Sequence, residues 1–339
     1  MPRPVKIGYL LDFRNPPGSG RTFPELYAEM FRQVEFIDQA GFDSVWLPEH
    51  HFVDDGYISS VIPMLSAIAA RTRRVTIGTF VLLMPFYHPL RLAEDCAVVD
   101  VISNGRLRLG IGKGYRGEEF DNFQIPRSER LGRTIEGIEI LKRAWTGERF
   151  SFEGKYFRFH DVRVLPRPVS QPHPELLWGG MDPDAVRRGA EMDLSFACNK
   201  GGREIALYVE TLKQLGKDPA NYSIINSTGS GYIADSEQEA WDDVKGPTLY
   251  SLGLYGQWLS HAPRFDPKFI PLTPDHEALR RASMIGPPAA VAERLAKVIE
   301  NNPLTTEFII GMQAPGLDPA KVMRSLERFA AEVLPVLRR

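Results

Sequence analysis

The sequence predicts a single α/β domain folded as a (β/α)8 TIM barrel, and three observations lead to that prediction. Short runs of β-branched and aromatic residues alternate with amphipathic segments of helical length, which is typical of repeated βα units. Eight such units follow one another along the chain. The chain has 339 residues, of which 43% are hydrophobic and 25% charged, and this size and composition suit one barrel with extra loops.

The eight candidate strands are short and rich in apolar residues. They are residues 5–11, 44–47, 75–81, 107–111, 175–178, 194–197, 224–233 and 307–311. Because helical segments separate them, we expect a parallel sheet covered by helices.

The helical segments carry apolar residues at helical spacing between recognisable start and stop residues. In the first, Pro24 opens the helix, Leu26, Met30 and Val34 recur on one face, and Gly41 ends it. The same pattern predicts helices at residues 59–70, 89–102, 130–145, 183–192, 203–215, 288–300 and 319–336.

Two stretches interrupt the alternation and are predicted to be insertions in the βα loops at the mouth of the barrel. Residues 147–172 contain aromatic side chains at strand-like spacing, and residues 246–286 are rich in aromatic residues and proline. The second stretch is a candidate lid over a ligand. Its aromatic residues either form a wall of the substrate pocket or pack the insertion onto the barrel; they are Tyr250, Tyr255, Trp258, His261 and Phe265.

An open doubly wound sheet is the alternative architecture because it also alternates strands with helices. Its dinucleotide-binding turn needs GxGxxG between the first strand and the first helix. The first turn here reads DFRNPPGSGRTF and lacks that pattern. The glycine-rich run GIGKGYRG at 110–117 follows the fourth strand instead, and no helix is predicted directly behind it. Both observations favour the barrel.

The charge balance excludes some classes of partner. The formal net charge is -2 and the pI about 6.4, so the chain offers no basic field for a nucleic acid or an anionic membrane. No stretch approaches the roughly 18 apolar residues of a membrane span, and the first apolar run is too short for a signal peptide. We therefore expect a cytoplasmic protein. Cys96 and Cys198 lack metal-ligand spacing, so we predict buried, reduced thiols and no metal site.

The most specific short run is WLPEHHFVDDG, at the end of the second predicted strand. A barrel projects its functional side chains from the carboxyl ends of its strands. Histidine exchanges protons near neutral pH, so His50 and His51 are candidates for a general base or for a donor to a developing anion. The alternative is a pair of packing histidines hydrogen-bonded to Glu49 or Asp54, and the motif alone leaves both interpretations open.

Three runs carry a resemblance that covers nearly the whole chain. They are VWLPEHHF, IGTFVLLMPFYHPLRLAEDCAVVDVISNGRLRLGIGKGYRGEEFDNF and PGLDPAKVMRSLERFAAEVLPVLR. In this order and spacing the chain resembles the bacterial luciferase-like flavin-dependent monooxygenase family. The resemblance implies that His50 occupies the position of the catalytic histidine, with His51 beside it. It also implies a non-proline cis peptide bond against the flavin ring, between Phe80 and Val81.

The resemblance further implies a binding site for the flavin phosphate. Lys113 stands where the family commonly has an arginine, and Arg130 matches a family arginine near the cofactor. Three residues match the turn whose amides receive the phosphate: Gly179, Gly180 and Met181. Judged without the resemblance, Arg130 is equally a surface charge and Asp182 a plain helix N-cap.

The activity that the resemblance implies is oxygenation of a small organic substrate, apolar or aromatic, by reduced FMN and dioxygen. The reduced FMN would come from a separate flavin reductase, because no NAD-binding unit is visible in the sequence. Two alternatives stay open. One is hydride transfer with a deazaflavin coenzyme on the same fold, and the other is a flavin-binding accessory subunit without chemistry of its own.

The resemblance also implies a homodimer, because family members pair through their second and third helices. Apolar residues form stripes in the corresponding segments: Ile62, Met64, Leu65, Ile68, Leu92, Val98 and Val99. Similar stripes arise wherever a barrel helix packs on its own strands, so the sequence leaves both explanations open.

Overall fold

The structure is a computed structural model that describes residues 5–199, 201–260 and 275–338 of the chain. The strands within these ranges are β1 (Lys6–Leu10), β2 (Ser44–Leu47), β3 (Thr76–Leu83), β4 (Leu107–Gly112), β5 (Phe150–Glu153), β6 (Arg158–Val162), β7 (Glu175–Gly179), β8 (Ser195–Asn199), β9 (Ile224–Ile233), β10 (Met284–Gly286) and β11 (Glu307–Gly311).

A nine-stranded sheet of the described residues contains a closed parallel barrel. Around the barrel the strands follow the order β1, β2, β3, β4, β7, β8, β9 and β11, and β11 pairs back with β1. The ninth strand, β10, extends the carboxyl end of β9, and β5 pairs with β6 in a separate antiparallel hairpin. Each of the eight predicted strands has become a barrel strand, so the predicted fold class is confirmed.

Helices connect the barrel strands. They are α1 (Phe23–Gln39), α2 (Val61–Arg71), α3 (Pro89–Ser103), α4 (Gly117–Asn122), α5 (Arg130–Ala144), α6 (Pro183–Glu191), α7 (Gly202–Gln214), α8 (Glu237–Ser260), α9 (His276–Ala282), α10 (Pro288–Asn301), α11 (Pro319–Arg328) and α12 (Leu334–Leu337). A capping box between Thr22 and Glu25 begins α1. None of the helices in the described part of the chain combines the length and the apolar character that crossing a membrane requires.

Side chains on the barrel strands alternate between the helices and the lumen. The residues that face the helices form the large apolar core of the protein. Within the lumen, an apolar layer lies at mid-height and contains Trp46, Leu177, Ala197, Ile225 and Ile309. This layer separates a polar cluster at the base of the barrel from the open mouth.

The polar cluster at the base is centred on Arg108, which is only 7% exposed. Its Nη1 donates to Glu307 Oε2 at 2.7 Å, and its Nε donates to Glu175 Oε2 at 2.6 Å. The other oxygen of Glu307 accepts hydrogen bonds from the Trp46 indole at 2.7 Å and from the Ser44 hydroxyl. These contacts join β2, β4, β7 and β11 across the lumen, and we call these five residues the base cluster.

The segment predicted as the first insertion lies elsewhere than expected. Residues 147–172 connect α5 to β7, so they extend an αβ connection rather than a βα loop of the mouth. Its β5–β6 hairpin lies along α5, where Glu136 accepts hydrogen bonds from the backbone N–H groups of Lys155, Tyr156 and Phe157. The aromatic spacing indicated the strands correctly, but it carries no information on which end of the barrel they join.

The second predicted insertion is largely regular. Residues 246–260 form the second half of α8, which continues through Pro247, and α9 and β10 occupy most of residues 275–286. The aromatic and proline content suggested an irregular insertion, but packing against the barrel has overridden that local preference. His261 and Phe265, predicted for the pocket wall, lie outside the described residues.

Two further expectations need correction. A helix, α4, does begin directly behind the glycine-rich run, at Gly117; its six residues are too few to show a periodic pattern. The stripes assigned to a dimer interface pack in the core of the same chain, with the exception of Val98, which is 44% exposed. They reflect packing of α2 and α3 on their own strands, and the homodimer stays a prediction.

Replacing Arg108 by methionine is expected to lower the free energy of unfolding by about 3–5 kcal/mol, because the substitution leaves Glu307 buried without its cation. Denaturant unfolding followed by circular dichroism measures the loss. Arg91→Met is the matched control, since the Arg91 side chain is 72% exposed in its ion pairs and its removal should cost no more than about 1 kcal/mol. Equal losses in the two variants would contradict the role of the base cluster.

Candidate active site

His50 lies just beyond the carboxyl end of β2 and is only 6% exposed. Aromatic rings surround its imidazole at centroid distances of 4.8 to 6.0 Å: Tyr57, Tyr115, Tyr255 and Trp258. A polar contact of this ring is therefore made in a low-dielectric environment, where it is stronger than in water.

Glu119, on α4, is the buried partner of His50. Its Oε1 lies 3.0 Å from His50 Nδ1 and accepts the backbone N–H of His51 at 3.0 Å. Arg116 donates to the His51 carbonyl at 2.6 Å and lies 3.4 Å from the same carboxylate oxygen. Burial raises the pKa of Glu119, but the contacts with His50 and His51 and the charge of Arg116 outweigh burial and hold that pKa below its usual range. An ionised carboxylate therefore orients the imidazole through Nδ1.

His51 has different partners. Its Nε2 lies 2.8 Å from Glu49 Oε1, and the two oxygens of Glu49 also accept the Tyr87 hydroxyl and the backbone N–H of Leu83, each at 2.9 Å. Its ring packs among three phenylalanine rings: Phe52, Phe86 and Phe123. These contacts tie the end of β2 to the end of β3 and agree with the packing interpretation.

Val81 lies over the lumen near the carboxyl end of β3. The register of β3 against β4 shifts between Thr79 and Leu82, and the Phe80–Val81 peptide bond is cis, as the resemblance implies. A Cβ atom at Gly112 would lie 2.5 Å from one methyl of Val81, and one at Gly179 would lie 2.7 Å from the other. Glycine at these two positions leaves room for the Val81 side chain, which a larger residue would displace. Phe80 packs against the apolar layer below.

Lys113 and Arg130 both interact with the Asp182 carboxylate beyond the ends of β4 and β7, and Arg127 lies beside Arg130. Lys113 Nζ lies 3.2 Å from Asp182 Oδ2, and Arg130 Nη1 donates to the Arg127 carbonyl at 3.1 Å. Burial and the charge of Arg127 lower the pKa of Arg130, against the opposing effect of Asp182. The Arg127 Nε is buried and has no hydrogen-bond partner among the residues that the structure describes. This excess of positive charge favours an anion at this point.

The turn from β7 into α6 lies beside these cations. Asp182 caps α6 by accepting the backbone N–H of Ala185 at 2.9 Å, as its N-cap interpretation expects. A Cβ atom at Gly180 would lie 2.7 Å from the Ala185 Cβ, so the backbone can take this path only with glycine. Next to it, Met181 is 37% exposed. The N-terminus of a helix attracts anions, and we call this turn with Lys113, Arg127 and Arg130 the anion cradle.

A cavity of about 360 Å³ opens at the mouth of the barrel, above the apolar layer of the lumen. The barrel strands and α8 both contribute to its walls, through residues that include Asp12, Pro48, Asn199, Ser227, Ser251 and Leu252. A space of this size accommodates a small organic molecule.

The three aromatic residues predicted for the pocket wall approach the mouth from α8 but occupy different places. Tyr255 lines the cavity, with its hydroxyl 2.7 Å from the hydroxyl of Tyr57. Trp258 packs between the His50 ring and the Arg116 guanidinium. Tyr250 donates to Asp55 Oδ2 at 3.0 Å. Tyr255 thus forms part of the cavity wall, whereas Trp258 and Tyr250 support polar side chains near the cavity.

The barrel brings the predicted site residues together, since His50, Val81, Lys113 and Gly180 follow or end the neighbouring strands β2, β3, β4 and β7. The sequence interpretation missed Glu119 and Arg116, and also two polar residues after β1, which are Asp12 and Arg14. A signal was present in both cases, because the runs GKGYRGEE and DFRN each follow a predicted strand directly. Charged residues at the carboxyl end of a barrel strand are themselves site candidates.

Both cysteines are free and buried, and burial raises the pKa of each thiol, so both are protonated at neutral pH. Within residues 5–199, 201–260 and 275–338, His, Cys, Asp and Glu side chains form no group of three or more that could hold a metal ion.

Comparisons with known proteins show which family the chain is similar to. The chain matches the family model for luciferase-like monooxygenases over residues 5–304. The oxygenase component of flavin-dependent trigonelline monooxygenase from Acinetobacter baylyi is 25% identical over 337 residues, covering 93% of this chain and 91% of that protein. An F420-dependent glucose-6-phosphate dehydrogenase from Intrasporangium calvum is 28% identical over 342 residues, covering 92% of this chain and 97% of that protein.

Among solved structures, the monooxygenase RslO1 from Streptomyces bottropensis is similar, with a TM-score of 0.82 and 29% sequence identity. The similarity covers 98% of this chain and 99% of that one. Because the family model matches most of its length and its fold agrees, this chain belongs to the luciferase-like monooxygenase family.

Proposed function

We propose that this chain is an FMN-dependent monooxygenase, which uses reduced FMN and dioxygen to oxygenate a small organic substrate that is largely apolar or aromatic. The observation that carries the proposal is that the anion cradle and the buried His50–Glu119 pair both lie at the carboxyl ends of neighbouring barrel strands, while Tyr57 and Tyr255, which pack against His50, line the cavity at the same mouth. Two similar proteins of matching length, trigonelline monooxygenase and RslO1, are monooxygenases by name, which supports the reaction class.

The anion cradle fits the phosphate of FMN. Lys113 and Arg130 supply positive charge, and the backbone N–H groups of Gly180 and Met181 lie at the start of a helix, where they can donate to phosphate oxygens. Val81, packed against two glycines, offers an apolar surface for a flat ring system. When bound, reduced FMN supplies the electrons that activate dioxygen. The A. baylyi relative is an oxygenase component, which supports delivery of the reduced cofactor by a separate flavin reductase.

Proton transfer falls to His50 in this proposal. Glu119 engages Nδ1, so Nε2 is the ring nitrogen left for exchange with a reacting group, and the Tyr115 hydroxyl lies 3.4 Å from it. The surrounding rings exclude water, which limits proton leakage from the site. His51, held by Glu49, positions the loop that carries His50.

Two other functions predict different behaviour. The I. calvum relative uses F420, and F420 also carries phosphate, so the anion cradle alone does not separate the two cofactors. An accessory subunit without chemistry would have no use for a buried histidine paired with an ionised carboxylate. Such a pair costs desolvation free energy and is characteristic of functional sites.

Cofactor titration and isotope labelling test the proposal together. We expect stoichiometric binding of FMN and none of F420. Protein, FMN, NADH and a flavin reductase, incubated under 18O2 with a panel of aromatic and alicyclic compounds, should yield a product containing one 18O atom. Binding of F420 alone would replace the proposal with hydride transfer. Binding of FMN without labelled product from a broad panel would favour the accessory subunit.

Lys113→Met is expected to weaken FMN binding by roughly tenfold or more, because it removes a charged contact to the phosphate. Riboflavin, which lacks the phosphate, should bind the variant and the native protein equally. Quenching of flavin fluorescence measures both affinities. Lys155→Met is the matched control, since Lys155 is an exposed lysine of the β5–β6 hairpin. A parallel loss of riboflavin affinity would remove Lys113 from the phosphate site.

His50→Ala is expected to lower turnover by about 100-fold or more, because a positioned proton-transfer group contributes on that order, while FMN affinity stays unchanged. Glu119→Gln should lower turnover by about tenfold, because it weakens the contact that orients the imidazole through Nδ1. Labelled product formed per minute is the readout, and His160→Ala, at an exposed hairpin position, is the control. An unchanged rate in either variant would refute the role assigned to that residue.

A further inference from the structure

One end of the mouth cavity is formed by charged groups that the proposed chemistry does not use. Arg14 and Asp12, which follow β1, both line the cavity. Arg14 is only 1% exposed, and its Nε donates to Asp55 Oδ2 at 2.8 Å. Its Nη1 donates to the Ser251 hydroxyl at 3.2 Å, and its guanidinium lies 5.0 Å from the centre of the Tyr57 ring. The guanidinium is therefore held in one position.

This end of the cavity holds a donor and an acceptor that remain unsatisfied. In the described part of the chain, Arg14 Nη2 and Asp12 Oδ1 are buried and have no hydrogen-bond partner. The two side chains are neighbours, with 3.8 Å between Arg14 Nη1 and Asp12 Oδ2. A buried polar atom without a partner is unfavourable, and native proteins rarely retain one without a reason. A ligand that accepts from Arg14 and donates to Asp12 would satisfy both atoms.

We propose that this end of the cavity binds a neutral carboxamide or lactam group of the substrate, whose carbonyl oxygen accepts from Arg14 and whose N–H donates to Asp12. The inference rests on the proposed function only in calling the ligand a substrate.

The local charge favours a neutral group over an anion. One guanidinium, on Arg14, lies beside two carboxylates, Asp12 and Asp55, so a carboxylate ligand would bring a third negative charge into a buried site. A ketone would satisfy Arg14 but leave Asp12 unpaired. A hydrocarbon would leave both atoms unpaired.

The position of the polar group also orients the rest of the ligand. Tyr57 and Tyr255 line the cavity and both pack against the His50 ring, at 5.0 and 6.0 Å between ring centres. A substrate held by its amide at Arg14 would therefore lie along these two tyrosines, with its apolar part toward the proposed proton-transfer site.

Calorimetric titration with benzamide, benzoate and acetophenone tests the inference. Each titration is carried out at pH 8, once on the protein without flavin and once on the protein with FMN. The affinity for benzamide should be at least roughly tenfold higher than that for either analogue. One hydrogen bond to a charged group contributes a difference of this size. Asp12→Asn should shift the ratio of benzamide to benzoate affinity toward benzoate by about tenfold, because it removes one negative charge. Burial raises the pKa of Asp12 to about 6, against the effect of Arg14 and with a contribution from Asp55, so a neutral side chain is tolerated there and the variant should fold.

Leu279→Ala, at an apolar position of the cavity wall, is the matched control and should weaken all three probes by a similar factor. The inference fails if benzoate or acetophenone binds the native protein as tightly as benzamide, if none of the three binds, or if Asp12→Asn leaves the ratio unchanged. Selective benzamide binding without FMN binding would overturn only the proposed function. FMN binding without benzamide selectivity would overturn only this inference.

Discussion

The buried ion pair between Arg108 and Glu307 determines where the barrel can hold a ligand. With Glu175, Ser44 and the Trp46 indole, it fills the base of the lumen with polar groups that satisfy one another. The Trp46 ring belongs to the apolar layer directly above, so the two layers share one side chain. Ligand space is therefore confined to the mouth, where the strands end and loops supply the chemistry.

The mouth is electrically divided although the whole chain carries a net charge of only -2. Cations collect at the ends of β4 and β7, around Asp182. Carboxylates outnumber cations on the side of β1 and β2, where Asp12 and Asp55 accompany Arg14. If FMN and a neutral substrate bind as proposed, the phosphate and the substrate would lie on different sides of the same opening. Net charge alone reveals nothing of this division, because it sums the 41 basic and 43 acidic residues of the whole chain.

The sequence predicted the barrel well because its strands are buried and continuous, so composition marks them directly. Ser44–Leu47, Ile224–Ile233 and Glu307–Gly311 have the predicted bounds. It predicted His50 and His51 from their place at the end of the second strand, and Lys113 only through the family resemblance. Glu119 was missed because its helix is too short for periodicity and its partner lies 69 residues away. Contacts across such separations depend on which strands become neighbours.

The errors have a common physical origin. The pattern within a segment shows whether it is a strand or a helix, but tertiary packing decides where the segment lies. The aromatic residues of 147–172 form strands as their spacing indicates, yet they lie between a helix and the strand that follows it. Pro247 lies inside α8 because the contacts of that helix with the barrel outweigh the lost backbone hydrogen bond.

Helix α8 contacts two groups of the opening through successive turns. Ser251 and Tyr250 contact the Arg14–Asp55 pair, and Trp258 contacts the His50 ring. Because one helix contacts both groups, a change in its position that alters ligand binding at Arg14 would also move the His50 imidazole. Laboratory evolution toward a bulkier compound would therefore proceed through shifts or tilts of the whole helix. Single substitutions along α8 that improve binding of the bulkier compound would tend to lower turnover.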